Sequence, residues 1–158
     1  MLTVTEAKNI GIKKTIIAVL SALLIAYAIM ALMTGDGGWL FSEPKIALNI
    51  IAGAVFVLAA GLFVGRYTGN SILINKRNCY WISIKNSFYI LWAGTLLGAS
   101  IGFFQEGLHS PFGVADGIDS YIVKPLAMVT VFGCIPTVII ACILGWSIKR
   151  NDDGKSSK

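Results

Sequence analysis

Four long runs of mainly apolar residues, separated by short polar or glycine-containing stretches, limit what this chain can fold into more than any other feature. A bilayer core about 30 Å thick needs roughly 20 consecutive apolar residues for one helical span. Only 13% of the residues are charged and 56% are hydrophobic, far from the usual soluble composition. The sequence therefore predicts an all-α integral membrane protein, a four-transmembrane-helix bundle forming a single domain over residues 1–148, with spans at about 15–33, 44–65, 86–105 and 125–148.

The first run allows a second interpretation. Residues 1–14 are polar and basic, and Ala26-Tyr27-Ala28 resembles the small-residue site at which a signal peptide is cleaved. The apolar run continues past that site, however, whereas a signal core usually has about 7 to 15 residues. We predict a retained helix. At the other end, the polar residues 149–158 are predicted to form a disordered cytoplasmic tail.

The distribution of charge predicts the orientation in the membrane. The termini and the connection between the second and third spans hold 11 of the 13 Lys and Arg residues and three acids, whereas the other two connections hold Lys45 and Lys124 against five acids. Positive charge in short loops marks the cytoplasmic side. Both termini are therefore predicted to be cytoplasmic, in the inner membrane of a bacterial cell. Because the charges flank apolar spans instead of forming a patch, the net charge of +5 does not predict a nucleic-acid partner.

Aromatic side chains support the predicted edges of the spans, because Trp and Tyr concentrate at membrane–water interfaces. The predicted positions are Trp39 and Tyr121 at the outer interface, and Tyr67, Tyr80, Trp81 and Trp146 at the inner one. Near the inner edge, Ile72-Leu73-Ile74 is predicted to lie along the headgroup boundary as a short amphipathic piece.

Glycines four residues apart form a stripe with almost no side-chain bulk on the third span, at Gly94, Gly98 and Gly102. In lipid such a glycine zipper is a docking surface for another helix, because it allows the two backbones to approach closely. At about 1.5 Å per residue, small residues of the other spans come to matching depths. These are Ala22 and Ala26 in the Ala18, Ala22 and Ala26 stripe of the first span, Gly53 of the second and Gly133 of the fourth.

This depth matching favours a third helix that packs against each of the other three at a small residue. Gly61 and Gly65 are shallower and match Gly145 of the fourth span instead. The alternative is that the glycine stripe faces outward and builds a homo-oligomer.

Glu106 and His109 stand three residues apart where the third helix leaves the membrane, with Asp116 and Asp119 in the same connection. A carboxylate and an imidazole on one helical face are half of a metal site or a general acid/base pair. The other half would need a second Glu-x-x-His, and the chain has one histidine. We therefore favour a solvated acidic connection, and predict no metal or other cofactor.

Pro136 lies inside the fourth span, where it removes a backbone hydrogen bond and predicts a kink. A hinge at this proline is the functional alternative to a static bend. No Asp, Glu, Lys, Arg or His lies in the central part of any span. Ion- and proton-coupled transporters usually carry such side chains within the membrane.

Three functions remain open on this basis. The favoured one is a non-enzymatic membrane protein that acts through helix–helix contacts, as an accessory subunit of a larger complex or an immunity-type protein. The second is an oligomeric channel or carrier for small solutes. The third is a membrane enzyme with its site at Glu106, His109, Asp116 and Asp119. Besides the lipid bilayer, the expected partner is therefore a membrane protein or a second copy of the chain.

Overall fold

The computed structural model describes residues 2–38, 41, 44–111 and 113–156, with the backbone alone for 44–46 and 151–156. Trp39 and Glu43, which enter the predicted outer side, lie outside these residues. The described chain folds into helices: α1 (Val4–Thr34), α2 (Pro44–Leu73), α3 (Cys79–Gln105), a 3-10 turn (Gly107–His109), α4 (Val114–Ile118), a π-helical segment (Asp119–Val123) and α5 (Lys124–Ser156).

Four helical stretches are long and apolar enough to cross a membrane, which confirms the predicted number of candidate spans. They are Val4–Thr34, Ala47–Leu73, Cys79–Gln105 and Val114–Arg150. Each includes most of one predicted apolar run and extends beyond it. The helical character of the described residues and the four candidate spans thus follow from the length and composition of the apolar runs.

The extra length of α1 has a local cause in the polar segment before the first apolar run. The Thr3 hydroxyl accepts a hydrogen bond from the Glu6 backbone N–H at 3.2 Å, and the Glu6 carboxylate accepts one from the Thr3 backbone N–H at 3.0 Å. This reciprocal pair is a capping box, which satisfies backbone donors that a helix start otherwise leaves unpaired. The helix therefore begins at Val4.

A link of five residues, 74–78, joins α2 to α3. Lys76 turns the chain with a positive φ of 50°, and the side-chain oxygen of Asn78 accepts hydrogen bonds from the N–H groups of Tyr80 and Trp81 at the start of α3. Ile72 and Leu73 are buried at the end of α2, at 4% and 2% exposure. The predicted headgroup-boundary piece is therefore wrong for these two residues, which pack in a protein core.

Residues 149–156 continue α5 as helix, which differs from the disordered tail predicted there.

The segment 114–123 upstream of α5 is also helical, with a change of hydrogen-bond pattern at its π-helical part. In that part the Lys124 N–H bonds to the Asp119 carbonyl, five residues back. Pro125 has no N–H to donate to the carbonyl four residues before it, which gives a physical reason for an irregular turn here.

The chain divides into two compact units, and every long helix contributes to both. The first unit comprises residues 1–22, 58–90 and 135–158, and the second comprises residues 23–57 and 91–134. A buried apolar cluster forms the core of the first unit, with members from α1, α2, α3 and α5: Ala7, Ile72, Leu73, Cys79, Ile82, Leu144 and Ile148.

Candidate functional site

Helices α1 and α2 meet backbone to backbone in the first unit. A Cβ added at Gly11 would collide with the carbonyl oxygen of Gly65 and lie 2.7 Å from the Cα of Gly69, and one added at Gly69 would collide with the carbonyl oxygen of Ala7. Only glycine allows helices to approach so closely, as in small-residue contacts of membrane helices. We call this contact the α1–α2 seam; it consists of Ala7, Gly11, Gly65 and Gly69.

The α1–α2 seam differs from the pairing predicted by depth. Gly61 and Gly65 have their nearest neighbours on α1, among them Thr15 and Val19, and not at Gly145. Gly145 instead lies against α3, where a Cβ would be 2.6 Å from the Cys79 carbonyl oxygen and 2.9 Å from the Ser83 hydroxyl. Equal depth fixes the level of a contact but not the face of the helix, so the predicted pairing of Gly65 with Gly145 is wrong.

The glycine stripe of α3 faces α2 in the second unit. A Cβ at Gly98 would lie 3.3 Å from the Cα of Gly53, one at Gly94 would lie 3.5 Å from the carbonyl oxygen of Gly53, and one at Gly102 would lie 3.4 Å from the side-chain nitrogen of Asn49. We call this contact the α2–α3 seam. The contact lies within the chain, and it includes Gly53, the residue of the second span that was matched to the stripe by depth.

The other small residues proposed as packing sites have different surroundings. A Cβ added at Gly133 would lie 3.6 Å from the Leu91 side chain. At this point α5 therefore contacts α3 at a leucine that is not part of the glycine stripe. Ala18 is half-buried beside the core of the first unit, Ala22 is half-buried, and Ala26 is exposed.

Polar side chains also join helices within each unit. In the first unit the Asn86 side-chain amide donates to the Thr68 hydroxyl at 2.7 Å, and Thr68 donates to the Val64 carbonyl at 2.8 Å. Asn86 is only 5% exposed. In the second unit the Trp92 indole donates to the Thr130 hydroxyl at 3.1 Å, at an exposed position. The Asn86–Thr68 bond fixes α2 against α3, and the Trp92–Thr130 bond fixes α3 against α5.

The acidic residues of the connection between α3 and α5 each bind a different local partner. Glu106 accepts a hydrogen bond from the Tyr121 hydroxyl at 3.0 Å, Asp116 accepts one from the Ser110 hydroxyl at 2.9 Å, and Asp119 forms an ion pair with Lys124 at 2.8 Å. The His109 side chain is exposed. Among the described residues, no group of three or more His, Cys, Asp or Glu side chains is placed to hold a metal ion.

A glycine contact missed by the sequence analysis holds this connection together. A Cβ at Gly117 of α4 would collide with the carbonyl oxygen of Gly107 in the 3-10 turn, and one at Gly107 would lie 3.1 Å from the Tyr121 ring. Both glycines are buried. The connection is thus a packed structure in which the carboxylates serve as hydrogen-bond acceptors for their neighbours.

Pro136, the hinge candidate, lies within α5, and the helix continues on both sides of it to Ser156. The residues that flank it remain in α-helical conformation. The π-helical segment at Asp119–Val123 is the irregular part of this helical stretch. Hinge motion at Pro136 stays a prediction.

The first unit has an open groove of about 590 Å³ beside the link between α2 and α3. It is lined by Phe63, Val64 and Tyr67 on α2, by Arg77 and Asn78 in the link, and by five residues of α3 from Trp81 to Tyr89. We call it the α2–α3 groove. The sequence analysis assigned Tyr67 and Trp81 to an interface but did not bring them together, because only the hairpin of α2 and α3 does so.

Comparison with known proteins found no family model, no curated protein and no solved structure that matches this chain.

Proposed function

We propose that this chain is a non-catalytic protein of a bacterial inner membrane, with both termini cytoplasmic, that binds a transmembrane helix of a partner membrane protein. An accessory subunit of a complex and an immunity-type protein both act in this way. The observation that carries the proposal is the exposure of the part of α1 from Leu24 to Thr34, in which Ala31 alone of eleven residues is not exposed.

This segment of α1, which we call the exposed α1 segment, contrasts with its neighbours in the second unit. Helices α2 and α3 already use their small residues on each other in the α2–α3 seam. The exposed α1 segment carries many large apolar side chains, such as Leu32 at 84% exposure. A surface of this kind is covered in the membrane by lipid or by another helix.

Ala22, two residues before this segment, and Ala26 within it give α1 one face suited to a helix. Ala22 and Ala26 are four residues apart and therefore lie on the same face, where a partner backbone could come close. Ala28, two residues further on, points to nearly the opposite side of the helix. The proposed partner is a transmembrane helix that places its own small residues against Ala22 and Ala26.

The charge distribution supports the proposed orientation. Cations predominate in the two termini and in the link between α2 and α3, and acids predominate in the other two connections. The test is a chain in which the three native cysteines are replaced and a single cysteine is placed at Lys8 or at Asp116. A membrane-impermeant maleimide should label the second site and not the first in intact cells, and the reverse pattern would refute the orientation.

The helix contact is tested with two matched substitutions in the full-length chain. A partner is first identified by photo-cross-linking from position 22 in native membranes, then purified and reconstituted with the chain, and association is measured by energy transfer. Because leucine at position 26 would hold the helices apart, we expect Ala26→Leu to weaken association at least about tenfold, and Ala28→Leu to leave it within about twofold.

Two results would overturn this function. Equal effects of Ala26→Leu and Ala28→Leu would show that the contact does not use the Ala22 and Ala26 face. Energy transfer between differently labelled copies of the chain itself, lost in Ala26→Leu, would show that the occupant is a second copy and that the protein is a homo-oligomer.

A further inference from the structure

The α2–α3 groove combines positive charge with aromatic and apolar surface. Its ten lining residues include two cations, Arg77 and Lys85, and no acid. Arg66 and Lys76 lie close to it in the chain and add to the local positive potential. We propose that this groove binds one anionic glycerophospholipid of the surrounding bilayer, with its phosphate between Arg77 and Lys85.

The groove extends along the helix axes from the link toward apolar residues of α2. Arg77 and Asn78 form its end at the link, while Phe63 lies ten residues along α2 from that link and Lys85 lies between these levels. At about 1.5 Å per residue the groove is roughly 15 Å long, enough for a headgroup, a glycerol and the first part of the acyl chains. The headgroup would therefore occupy the stretch between Arg77 and Lys85, and the acyl chains would continue along Phe63 and Val64.

The cations of the groove are the groups that would meet the phosphate. The first N–H groups of α3, those of Tyr80 and Trp81, are already bonded to the Asn78 side chain. Lys85 lies about two turns into α3, and its ammonium is 5.7 Å from the centre of the Tyr89 ring. A long cationic side chain held over an aromatic ring can present its charge to the interface while its stem covers apolar surface.

The base of the groove is held by the buried bond between Asn86 and Thr68. Both residues are buried, at 5% and 1% exposure, so the bond fixes the spacing of the two helices on which the lining residues stand. The groove is open and has a volume of about 590 Å³. Because the bond between Asn86 and Thr68 lies within the protein, the spacing of the two walls does not depend on a bound lipid.

The exposed aromatic residues of the groove favour lipid over a protein helix as the occupant. Trp81 and Tyr67 are 66% and 53% exposed, and aromatic side chains of this kind concentrate at the level of lipid headgroups. A protein helix seated here would have to bring an acid into the interface to balance Arg77 and Lys85. Anionic lipids supply that negative charge throughout the membrane.

The experiment uses Trp81 as a reporter in the full-length chain. The other three tryptophans are replaced by phenylalanine, and the protein is reconstituted in phosphatidylcholine vesicles with either brominated phosphatidylglycerol or brominated phosphatidylcholine as the quencher. We expect phosphatidylglycerol to associate with Trp81 at least about fivefold more strongly than phosphatidylcholine, since one cation near an anionic surface contributes about this factor.

Two charge variants then separate a site from general attraction. Arg77→Gln/Lys85→Gln should reduce the preference to about onefold, whereas Lys149→Gln/Arg150→Gln, which removes the same charge from α5, should keep most of it. Arg77→Lys/Lys85→Arg retains both positive charges and should keep the preference for phosphatidylglycerol. This variant tests the proposal even if the glutamine variant fails to fold.

The proposal is overturned if Trp81 quenching in the unmodified protein depends only on the mole fraction of brominated phosphatidylglycerol, because the groove would then show no preference for this lipid. It is also overturned if the α5 variant loses as much preference as the groove variant, or if the charge-retaining variant loses it. Cross-linking of Trp81 to a second copy or to another protein, with no lipid preference, would assign the groove to a protein occupant instead.

Discussion

The two units of this protein pack their long apolar helices in different ways. In the first unit, Gly11 and Gly69 place the backbones of α1 and α2 in direct contact, and Ala7 is fully buried beside them. In the second unit, α2 and α3 share a glycine contact, while ten of the eleven residues of the exposed α1 segment have exposed side chains. The difference shows that α1 is packed closely against α2 in the first unit and that its Leu24–Thr34 part is not covered in the second.

The largest expected effect breaks the first unit. Gly11→Leu places a side chain where the Gly65 carbonyl and the Gly69 Cα already lie, so we expect a loss of about 3 kcal/mol or more in the free energy of unfolding. Unfolding in mixed micelles, followed by circular dichroism, measures it. Gly37→Leu is the control, because an added Cβ there meets nothing within 4 Å. Equal stability of the two variants would contradict the α1–α2 seam.

A smaller loss is expected in the second unit. Gly98→Leu brings its Cβ to 3.3 Å from the Gly53 Cα, which the neighbouring helix can partly accommodate, so about 2 kcal/mol is expected. A Cβ at Gly133 would lie 3.6 Å from the Leu91 side chain and 3.9 Å from that of Val129, both ordinary contact distances, so Gly133→Leu should cost less than about 1 kcal/mol in the same unfolding assay. If Gly133→Leu were the more damaging of the two, α5 and not α2 would be the main partner of α3 in this unit.

Hydrogen bonds between helices extend the comparison. Asn86→Leu removes the buried bond to Thr68, and we expect a loss of about 1 to 1.5 kcal/mol in the same assay. Thr130→Val removes the exposed bond to Trp92. It should lower the free energy of unfolding by about 0.5 kcal/mol, because side chains at an exposed position have fewer packing contacts to lose. The order of the two variants is the decisive result, and its reversal would place the stronger polar contact in the second unit.

The smallest effect concerns the connection between α3 and α5. Tyr121→Phe removes an exposed hydrogen bond to Glu106 and should leave the free energy of unfolding nearly unchanged in the same assay. His109→Ala serves as the control and should also leave it nearly unchanged. A clear loss of stability in Tyr121→Phe alone would contradict this expectation, and the loss of a measurable reaction in His109→Ala, once one is found, would revive the enzyme hypothesis for this connection.

The number and type of long helices could be predicted because bilayer thickness converts directly into the length of an apolar run. The seam at Gly11 could not be found in that way, since Gly11 lies in the polar segment that precedes the first run. A capping box can be recognised in sequence, and Thr3 with Glu6 was the signal that extends α1 over Gly11.

The faces of the helices were harder to predict than their levels. Gly53 was matched to the α3 stripe by depth, and Gly53 and Gly98 do lie in contact. The same reasoning paired Gly65 with Gly145, because depth contains no information about rotation around the helix axis. The α2–α3 groove was missed for a related reason: its two walls come from different helices, and only the short link through Asn78 brings them side by side.

The burial of Ala7 has a practical consequence for work with this protein. Removing residues 2–10 would take away both the capping pair and Ala7, the neighbour of Gly69, so a chain shortened in this way should lose part of the α1–α2 seam.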